Sequence, residues 1–292
     1  VFAEKVIANF IDEYSRGRTP NPCIRCNEFI KFDALLTKAL ALGAEFVATG
    51  HYVRLSYDEI GRRHVLRKSS DTTKDQSYVL YVLKQQQLAH SLFPLGEMTK
   101  DQTRQLAKNL ALQVADKPDS QEICFVPDNK YGDFLNDSRP GISLPGPIVD
   151  KTGKVMGKHK GIVHYTIGQR RGLGLASQRP LYVVALDVSR NAVVVGEEAE
   201  LYARGLVAGD VNWVSINRPE NPIGVSAKIR YRAREVQATL HVLDNERVEI
   251  MFAEPQKAVA PGQAVVFYDD DLLLGGGIIA NGLQQNRSEN RD

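Results

Sequence analysis

The chain changes its hydrophobic rhythm once, near its middle. In the first half apolar positions recur every three to four residues, the period of an amphipathic helix. Phe2, Val6, Ile7, Phe10 and Ile11 place one apolar stripe on residues 1–16. Phe32, Leu35, Leu36, Ala39 and Leu40 place another on Lys31–Leu42, which Gly43 ends. Glu45–Thr49 is a short apolar strand that runs into Gly50-His51. Helix, glycine, strand and turn in that order make the αβ unit of an open parallel sheet, whose ligands gather beyond the carboxyl ends of the strands. Arg63–Lys68 reads as one strand of a small hairpin and Lys74–Leu83 as a helix. Thr99 and Gln102 form a capping box for a further helix, with Leu106, Ala107 and Leu110 on its expected buried face. The loop Lys117–Ile123 then leads to Cys124.

After Asp137 the period falls to two. Arg139-Pro-Gly-Ile-Ser-Leu-Pro-Gly-Pro147 is a turn-rich linker. From Ile148 short Val-rich strands alternate with turns, and Tyr182–Val188 with Ala192–Val195 is the clearest hairpin. A second β pattern opens near Gly205. Val225–Arg230, Gln237–Leu243, Val248–Phe252, Gln263–Tyr268 and Leu272–Ile279 read as strands of a small closed barrel. The expected division is an α/β domain over 1–138, a central β-rich domain over 139–204, a β-barrel over 205–283 and a polar tail over 284–292.

Composition adds limits rather than an assignment. No apolar run reaches the roughly 18–20 residues of a membrane span, and no signal peptide is visible, which leads us to expect a cytoplasmic protein without a membrane partner. The formal net charge is only +2, but the cations cluster. Arg62, Arg63, His64, Arg67 and Lys68 form one group, Arg170 and Arg171 a second, and Lys228, Arg230, Arg232 and Arg234 a third. Such clusters suit a polyanion, and solvated faces produce them as well.

Three cysteines in 292 residues make no disulfide scaffold. Cys23 and Cys26 lie in Gly17–Asn27, where a proline on each side of Asn21 predicts an extended, shaped loop rather than a helix. Arg16, Arg18 and Arg25 surround the two thiols, and positive charge favours thiolate. From the residues alone, Cys-x-x-Cys in such a loop is open between metal binding and redox or nucleophilic work. Cys124, followed by Phe125 and Val126, reads by itself as a core thiol, although its polar lead-in Asp119-Ser120-Gln121-Glu122 weakens that reading.

Gly-Arg-Thr-Pro-Asn-Pro-x-x-x-Cys-Asn, Ala-Thr-Gly-His-Tyr, Lys-Asp-Gln-Ser-Tyr and Asp-Ser-x-x-Ile-Cys-Phe occur in one order, with Gly-Gly-Gly-Ile-Ile near the end. Together they resemble the tRNA-specific 2-thiouridylases, the MnmA/TrmU family, from about Phe2 to about Ile279. The resemblance implies a PP-loop ATP pyrophosphatase-like α/β domain followed by two β-rich domains. It implies conversion of a tRNA wobble uridine to 2-thiouridine, with ATP and Mg2+, on the anticodon stem-loop, and sulfur from a cysteine desulfurase or a sulfur-relay protein. By position, Cys26 matches the nucleophilic cysteine and Cys124 the persulfide carrier. Gly50 matches an ATP contact and His51 a tRNA contact. Asn21, Pro22 and Cys23 match residues facing the target base, while Lys74, Asp75, Gln76, Arg230, Tyr231 and Gln263 match tRNA-contacting positions.

Two departures matter. Family members often carry Asp where this chain has Cys23, so Cys23, Cys26 and Cys124 are alternative ligands of a [4Fe-4S] cluster, or of zinc with His51 as the fourth ligand. The family's Ser-Gly-Gly-x-Asp-Ser phosphate loop does not occur here, and the chain opens at Val1. The expectation is a first domain lacking its N-terminal part, inactive on its own. The rival expectation is a tRNA-binding or cluster-carrying fragment without catalysis of its own.

Overall fold

The computed structural model describes residues 1–116, 123–126, 130–244 and 246–284. Most of the expected loop 117–123, including the lead-in Asp119–Glu122, and the expected tail beyond Gln284 lie outside the described residues.

The first region begins with a helical run, π-wound over Ala3–Ala8 and α-helical over Asn9–Ser15 (α1). Its apolar stripe is buried as the spacing predicts, with Val6, Phe10, Ile11 and Tyr14 inside. The second helical run starts earlier than expected. Pro22–Cys26 (α2) is already helical, continues as a π-helical stretch Asn27–Leu35, and ends as Leu36–Ala41 (α3). Pro22 does not break this helix because it sits at its first position, where an amide N–H has no helical acceptor anyway. Asn21 lies just outside, in extended backbone, and its side chain accepts from the Cys23 N–H at 3.1 Å. The shaped loop is therefore Gly17–Asn21 only.

Val47–Ala48 (β1) pairs in parallel with Ser91–Leu92 (β4), the two-stranded parallel sheet of the αβ pattern. Between them, Val53–Asp58 (β2) and Arg63–Lys68 (β3) form the expected hairpin. Lys74–Leu83 is not a regular helix. It is a chain of turns around a short 3-10 helix at Ser77–Val79, with Tyr78, Leu80, Tyr81 and Leu83 all buried. Gln85–Ala89 (α4) precedes β4, and Lys100–Asn109 (α5) follows it with the predicted Thr99–Gln102 capping box. The expected buried face of α5 is wrong in the described structure: Leu106 and Leu110 are exposed. An additional helix, Tyr131–Ser138 (α6), packs Leu135 and Phe134 against α1, and its mixed sequence gave no clear period.

The central region is a four-stranded sheet. Gly146–Val149 (β5), Val155–His159 (β6), Tyr182–Asp187 (β7) and Ala192–Gly196 (β8) are ordered β6-β5-β8-β7. The β7–β8 hairpin is the one that the alternating sequence predicted.

The third region is a closed six-stranded barrel. Tyr202–Trp213 (β9), Ile223–Lys228 (β10), Val236–Val242 (β11), Val248–Lys257 (β12), Ala264–Asp269 (β13) and Leu272–Gln284 (β14) run in the order β13-β10-β11-β12-β9-β14, closed by β13 on β14. Leu206, Val225, Leu240, Ile250, Val265 and Phe267 fill it. Strand β14 also carries the β2–β3 hairpin on its edge, through Leu272 and Arg67. The α/β region and the barrel therefore share a core, which includes Val53, Leu66, Tyr78, Tyr81, Val266 and Tyr268. Gly276 permits this approach, since a Cβ there would stand 2.6 Å from the Tyr81 ring. The first basic cluster belongs to the same junction. Arg67 and Arg54 pair with Asp271, Lys68 pairs with Glu235, and Arg63 donates to Asn217 and to the Val214 carbonyl. Those cations hold the regions together rather than forming an open polyanion patch.

Candidate functional site

The site forms where α2, the turn after β1, the 3-10 segment, the Cys124 segment and a barrel corner meet. Helix α2 presents Cys23 and Cys26 three positions apart, on one side of a single turn. The wider π-helical winding that follows brings Lys31 round to the same side. The turn after β1 supplies His51, and Ile123–Phe125 bring Cys124 from a distant part of the sequence. These residues enclose a cavity of about 390 Å³ whose walls include Asn21, Pro22, Gln76 and Tyr231. That is the size of ordinary small-molecule sites, roughly 300–1,000 Å³. All three cysteines are free thiols, Cys23 and Cys124 exposed and Cys26 half-buried.

The arginine-rich sequence suggested activated thiols, and the geometry corrects that expectation. Arg18 is engaged by Glu13 at 2.9 Å and Arg25 by Glu28 at 2.9 Å, so neither charge is directed at a thiol. Although Cys23 reaches solvent, the cavity walls partly desolvate its thiol and push it up from its ordinary value, the Cys124 and Cys26 thiols add to this, and Lys31 opposes it. Burial likewise raises Cys26, against the pull of Lys31. The cation that the thiols feel is Lys31, a residue the sequence did not single out. Only the helix winding brings it near, and winding leaves no simple sequence signal.

His51 is buried and held at both ring nitrogens. Nδ1 lies 2.8 Å from Thr49 Oγ1, and Nε2 lies 3.3 Å from the Lys31 ammonium. Burial, reinforced by Lys31, lowers its pKa to about 4, so the ring is neutral at physiological pH and accepts from Lys31. Both nitrogens being occupied, His51 is not placed as a fourth zinc ligand. Among the described residues no group of three His, Cys, Asp or Glu side chains is disposed to hold a single metal ion.

Gly50 lies in a second, adjoining cavity of about 700 Å³, lined also by Thr72, Thr73, Lys74, Lys100, Lys228 and Arg232. A Cβ on Gly50 would meet only Leu95, at 3.6 Å, so its backbone is open to a close neighbour. Gln76 and Tyr231 border both cavities. The remaining expected residues divide by what they touch. Asp75 is buried and accepts from the Ser69 and Ser77 N–H groups and from the Ser77 hydroxyl. Gln76 pairs its side-chain oxygen with the Tyr52 N–H. Tyr231 donates to the Asp75 carbonyl and packs its ring on Tyr78. Arg230 is exposed, outside the end of β10, with Nη2 on the Lys257 carbonyl. Gln263 stands apart from the cavity, its amide donating to the Thr19 carbonyl at 2.8 Å. Gly168–Gly172, which carries the second basic cluster, is far along the chain in the central region and borders a separate shallow hollow with Arg179.

No helix among the described residues is long and apolar enough to cross a membrane. Comparison with known proteins is consistent over nearly all of the chain. Residues 1–128 match the family described as the tRNA methyl transferase HUP domain, 132–197 the tRNA methyl transferase PRC-barrel domain, and 203–279 the aminomethyltransferase beta-barrel domain. The tRNA-specific 2-thiouridylase MnmA of Acetivibrio thermocellus is 52% identical over 279 residues, which are 96% of this chain and 78% of that protein. The MnmA of Halothermothrix orenii is 51% identical over the same shares. MnmA 2 of Caldanaerobacter subterraneus subsp. tengcongensis is 54% identical over 96% of this chain and 77% of its own length. With the three-thiol cavity, the α/β region and both β regions all falling inside these matches, the chain belongs to the tRNA-specific 2-thiouridylase MnmA family.

Proposed function

We propose that this chain carries out 2-thiolation of the wobble uridine in a tRNA anticodon, with ATP activating the base and the cavity thiols transferring sulfur. The carrying observation is that Cys26 and Cys124, about a hundred residues apart in sequence, line one cavity of nucleobase size. Close similarity to relatives named tRNA-specific 2-thiouridylases supports the substrate class.

The chemistry follows from the groups present. Oxygen on C2 of uracil is a poor leaving group, so it attacks the α-phosphate of ATP, forms the O2-adenylate and releases pyrophosphate. A sulfur-donor protein loads Cys124 as a persulfide, for which its exposure suits it. The Cys26 thiolate attacks the Cys124 sulfur, forming a Cys26–Cys124 disulfide and releasing hydrosulfide. Hydrosulfide adds to C2, AMP leaves with the former O2, and a cellular thiol then reduces the disulfide. The target base reaches the cavity by leaving the anticodon stack, at a cost that is small for a loop nucleotide. Asn21, Pro22 and Cys23 at the helix start, with His51, Gln76 and Tyr231, are the residues that would surround it. Gly50 and Lys74 in the adjoining basic cavity suit phosphate groups of ATP or of the RNA backbone. On the exposed barrel rim, Arg230 suits the RNA backbone as well.

A second sulfur chemistry is favoured by one observation: Cys23 shares the cavity, and the two-thiol scheme leaves it unused. A cubane cluster spans thiols farther apart than one ion does, so Cys23, Cys26 and Cys124 could hold three of its irons. The fourth iron would then be open to carry sulfide. Anaerobic reconstitution with iron and sulfide separates the two. A visible charge-transfer band lost in Cys23→Ser, together with loss of thiolation, selects the cluster. Normal thiolation by Cys23→Ser selects the persulfide route. The function itself is tested by incubating the full-length gene product with unmodified tRNA, ATP, Mg2+ and a sulfur donor. Nucleoside mass spectrometry should find 2-thiouridine at the wobble position, and a reaction without ATP should find none. Absence of product under both conditions overturns the proposal.

A further inference from the structure

Among the described residues that line the thiol cavity, Lys31 is the only lysine, arginine, aspartate or glutamate. Phe2, Val6, Pro22, Val79, Ile123 and Phe125 make much of the remaining wall apolar. Nearby cations on the same helices are matched by acids: Lys5 by Glu4, Arg18 by Glu13 and Arg25 by Glu28. Lys31 differs. Among the described residues no carboxylate pairs with it, and its ammonium is held by His51 Nε2 at 3.3 Å. That acceptor is uncharged. With Nε2 accepting, the ring proton sits on Nδ1 and is donated to Thr49 Oγ1 at 2.8 Å, which fixes one tautomer. Phe32 and Phe93 pack around the ring, with centroids 5.9 and 6.2 Å away. Burial, reinforced by Lys31, keeps the imidazole neutral. A carboxylate in its place would hold the ammonium equally well and cancel its charge. The neutral ring fixes the direction of the ammonium and leaves its charge to an apolar-walled cavity, where an anion is its natural partner.

We propose that Lys31 is the hydrosulfide-binding residue of the cavity: its ammonium, aimed by His51, holds the sulfur anion released at the thiols until that anion adds to C2 of the activated base. This rests on the sulfur-transfer reading above and gives its smallest intermediate a place to stay. When the Cys26 thiolate takes the Cys124 sulfur, the persulfide S–S bond breaks and its electron pair leaves on hydrosulfide. An anion of that size has no other wall group to oppose its charge. Its sulfur then bonds to C2, and its proton passes to N3, which gave up its own when O2 was adenylated. The C2–O electron pair leaves with AMP. One negative charge thus moves from sulfur to the AMP phosphate, and the ammonium ends the cycle unchanged.

The test uses Lys31→Met and Lys31→Arg in the full-length gene product, with unmodified tRNA, ATP, Mg2+ and sodium sulfide as the sulfur source under anaerobic conditions. In Lys31→Met the KM for sulfide should rise by about tenfold to a hundredfold, the worth of one hydrogen bond to a charged group, and the loss should fall on KM rather than on kcat. Lys31→Arg, which keeps the charge, should recover most of it. A second readout needs no activity. Cysteine alkylation by iodoacetate, an anion, is divided by alkylation with neutral iodoacetamide, so that thiolate fraction and access cancel. Peptide mass spectrometry should show this ratio at Cys26 falling by about fivefold in Lys31→Met and returning in Lys31→Arg. An unchanged sulfide KM overturns the proposal, and if tRNA binding weakens as well, Lys31 is an RNA contact instead. An unchanged alkylation ratio overturns it too, because the cavity then attracts no anion through Lys31. If wild type makes no 2-thiouridine, the reading of function fails, and the alkylation ratio still decides whether Lys31 makes the cavity an anion site.

Discussion

Replacing Asp75 by Ala distinguishes a buried structural hub from an RNA contact. Its carboxylate accepts three hydrogen bonds: from the Ser69 N–H at 3.1 Å, the Ser77 N–H at 3.3 Å and the Ser77 hydroxyl at 2.7 Å. The Ser77 oxygen also lies 3.0 Å from the Tyr268 hydroxyl, so one carboxylate links the turn after β3, the 3-10 segment and the barrel. In Asp75→Ala the Ser77 hydroxyl can turn to Tyr268, but the two backbone N–H groups lose their acceptor in a place water does not reach. Ser69 is 2% exposed and Ser77 is fully buried. An unsatisfied buried donor costs about 1–3 kcal/mol, and the carboxylate's own desolvation is relieved, which leaves a net loss of about 3 kcal/mol. For a domain of this size that lowers Tm by roughly 6–12 °C. Asp75→Asn keeps one acceptor oxygen and should lose only about a third as much. Thermal unfolding followed by circular dichroism provides the measurement. An Asp75→Ala protein with unchanged Tm and markedly weaker tRNA binding would refute the hub and make Asp75 a direct contact.

Arg230→Ala should weaken tRNA binding and flatten its salt dependence by about 0.7–0.9 in the log–log slope, the contribution of one phosphate contact; an unchanged slope moves the backbone contact elsewhere. His51 gives a pH signature. Its folded pKa is about 4 against an ordinary 6.5, so the unfolded chain binds a proton that the folded chain refuses. Stability from this group is complete above about pH 6.5 and is lost as the pH falls towards 4, by roughly 3 kcal/mol in all. Urea midpoints at neutral and acid pH should therefore fall more for wild type than for His51→Gln, and equal falls would show that the ring is not held neutral. Asn21→Ala should lose about 1 kcal/mol through the missing cap and slow thiolation, whereas full activity would mean that Pro22 alone sets the start of α2.

The barrel was legible because alternation has one physical meaning on a half-buried strand. Val225, Ala227, Leu240, Ile250 and Val265 fall inside where the period places them. The start of α2 was not legible, because the two prolines of Pro20-Asn21-Pro22 predict a break through the whole segment. Position decides their effect: Pro20 stays outside the helix and Pro22 opens it. Lys74–Leu83 misled for another reason. A continuous apolar run fits a buried helix and a buried coil equally, and here the acceptors for its backbone come from Asp75 and the segment's own turns. The exposure of Leu106 and Leu110 shows that an apolar stripe states a capacity for packing, not what packs there. The site was legible as residue types, since all three thiols were visible, but its charge was not. Glu13 and Glu28 neutralise the arginines that looked activating, and Lys31 reaches the cavity through helix geometry that the sequence does not display.

The central claim is that Cys26 and Cys124 transfer sulfur to a bound uridine, and single-turnover thiolation by cysteine variants tests it most directly. The full-length gene product, loaded with sulfur from a donor and mixed with ATP and unmodified tRNA, should form 2-thiouridine at the wobble position. Cys26→Ser and Cys124→Ser should each form none while binding tRNA as tightly as wild type. Formation of 2-thiouridine by either variant at the wild-type rate would contradict the account.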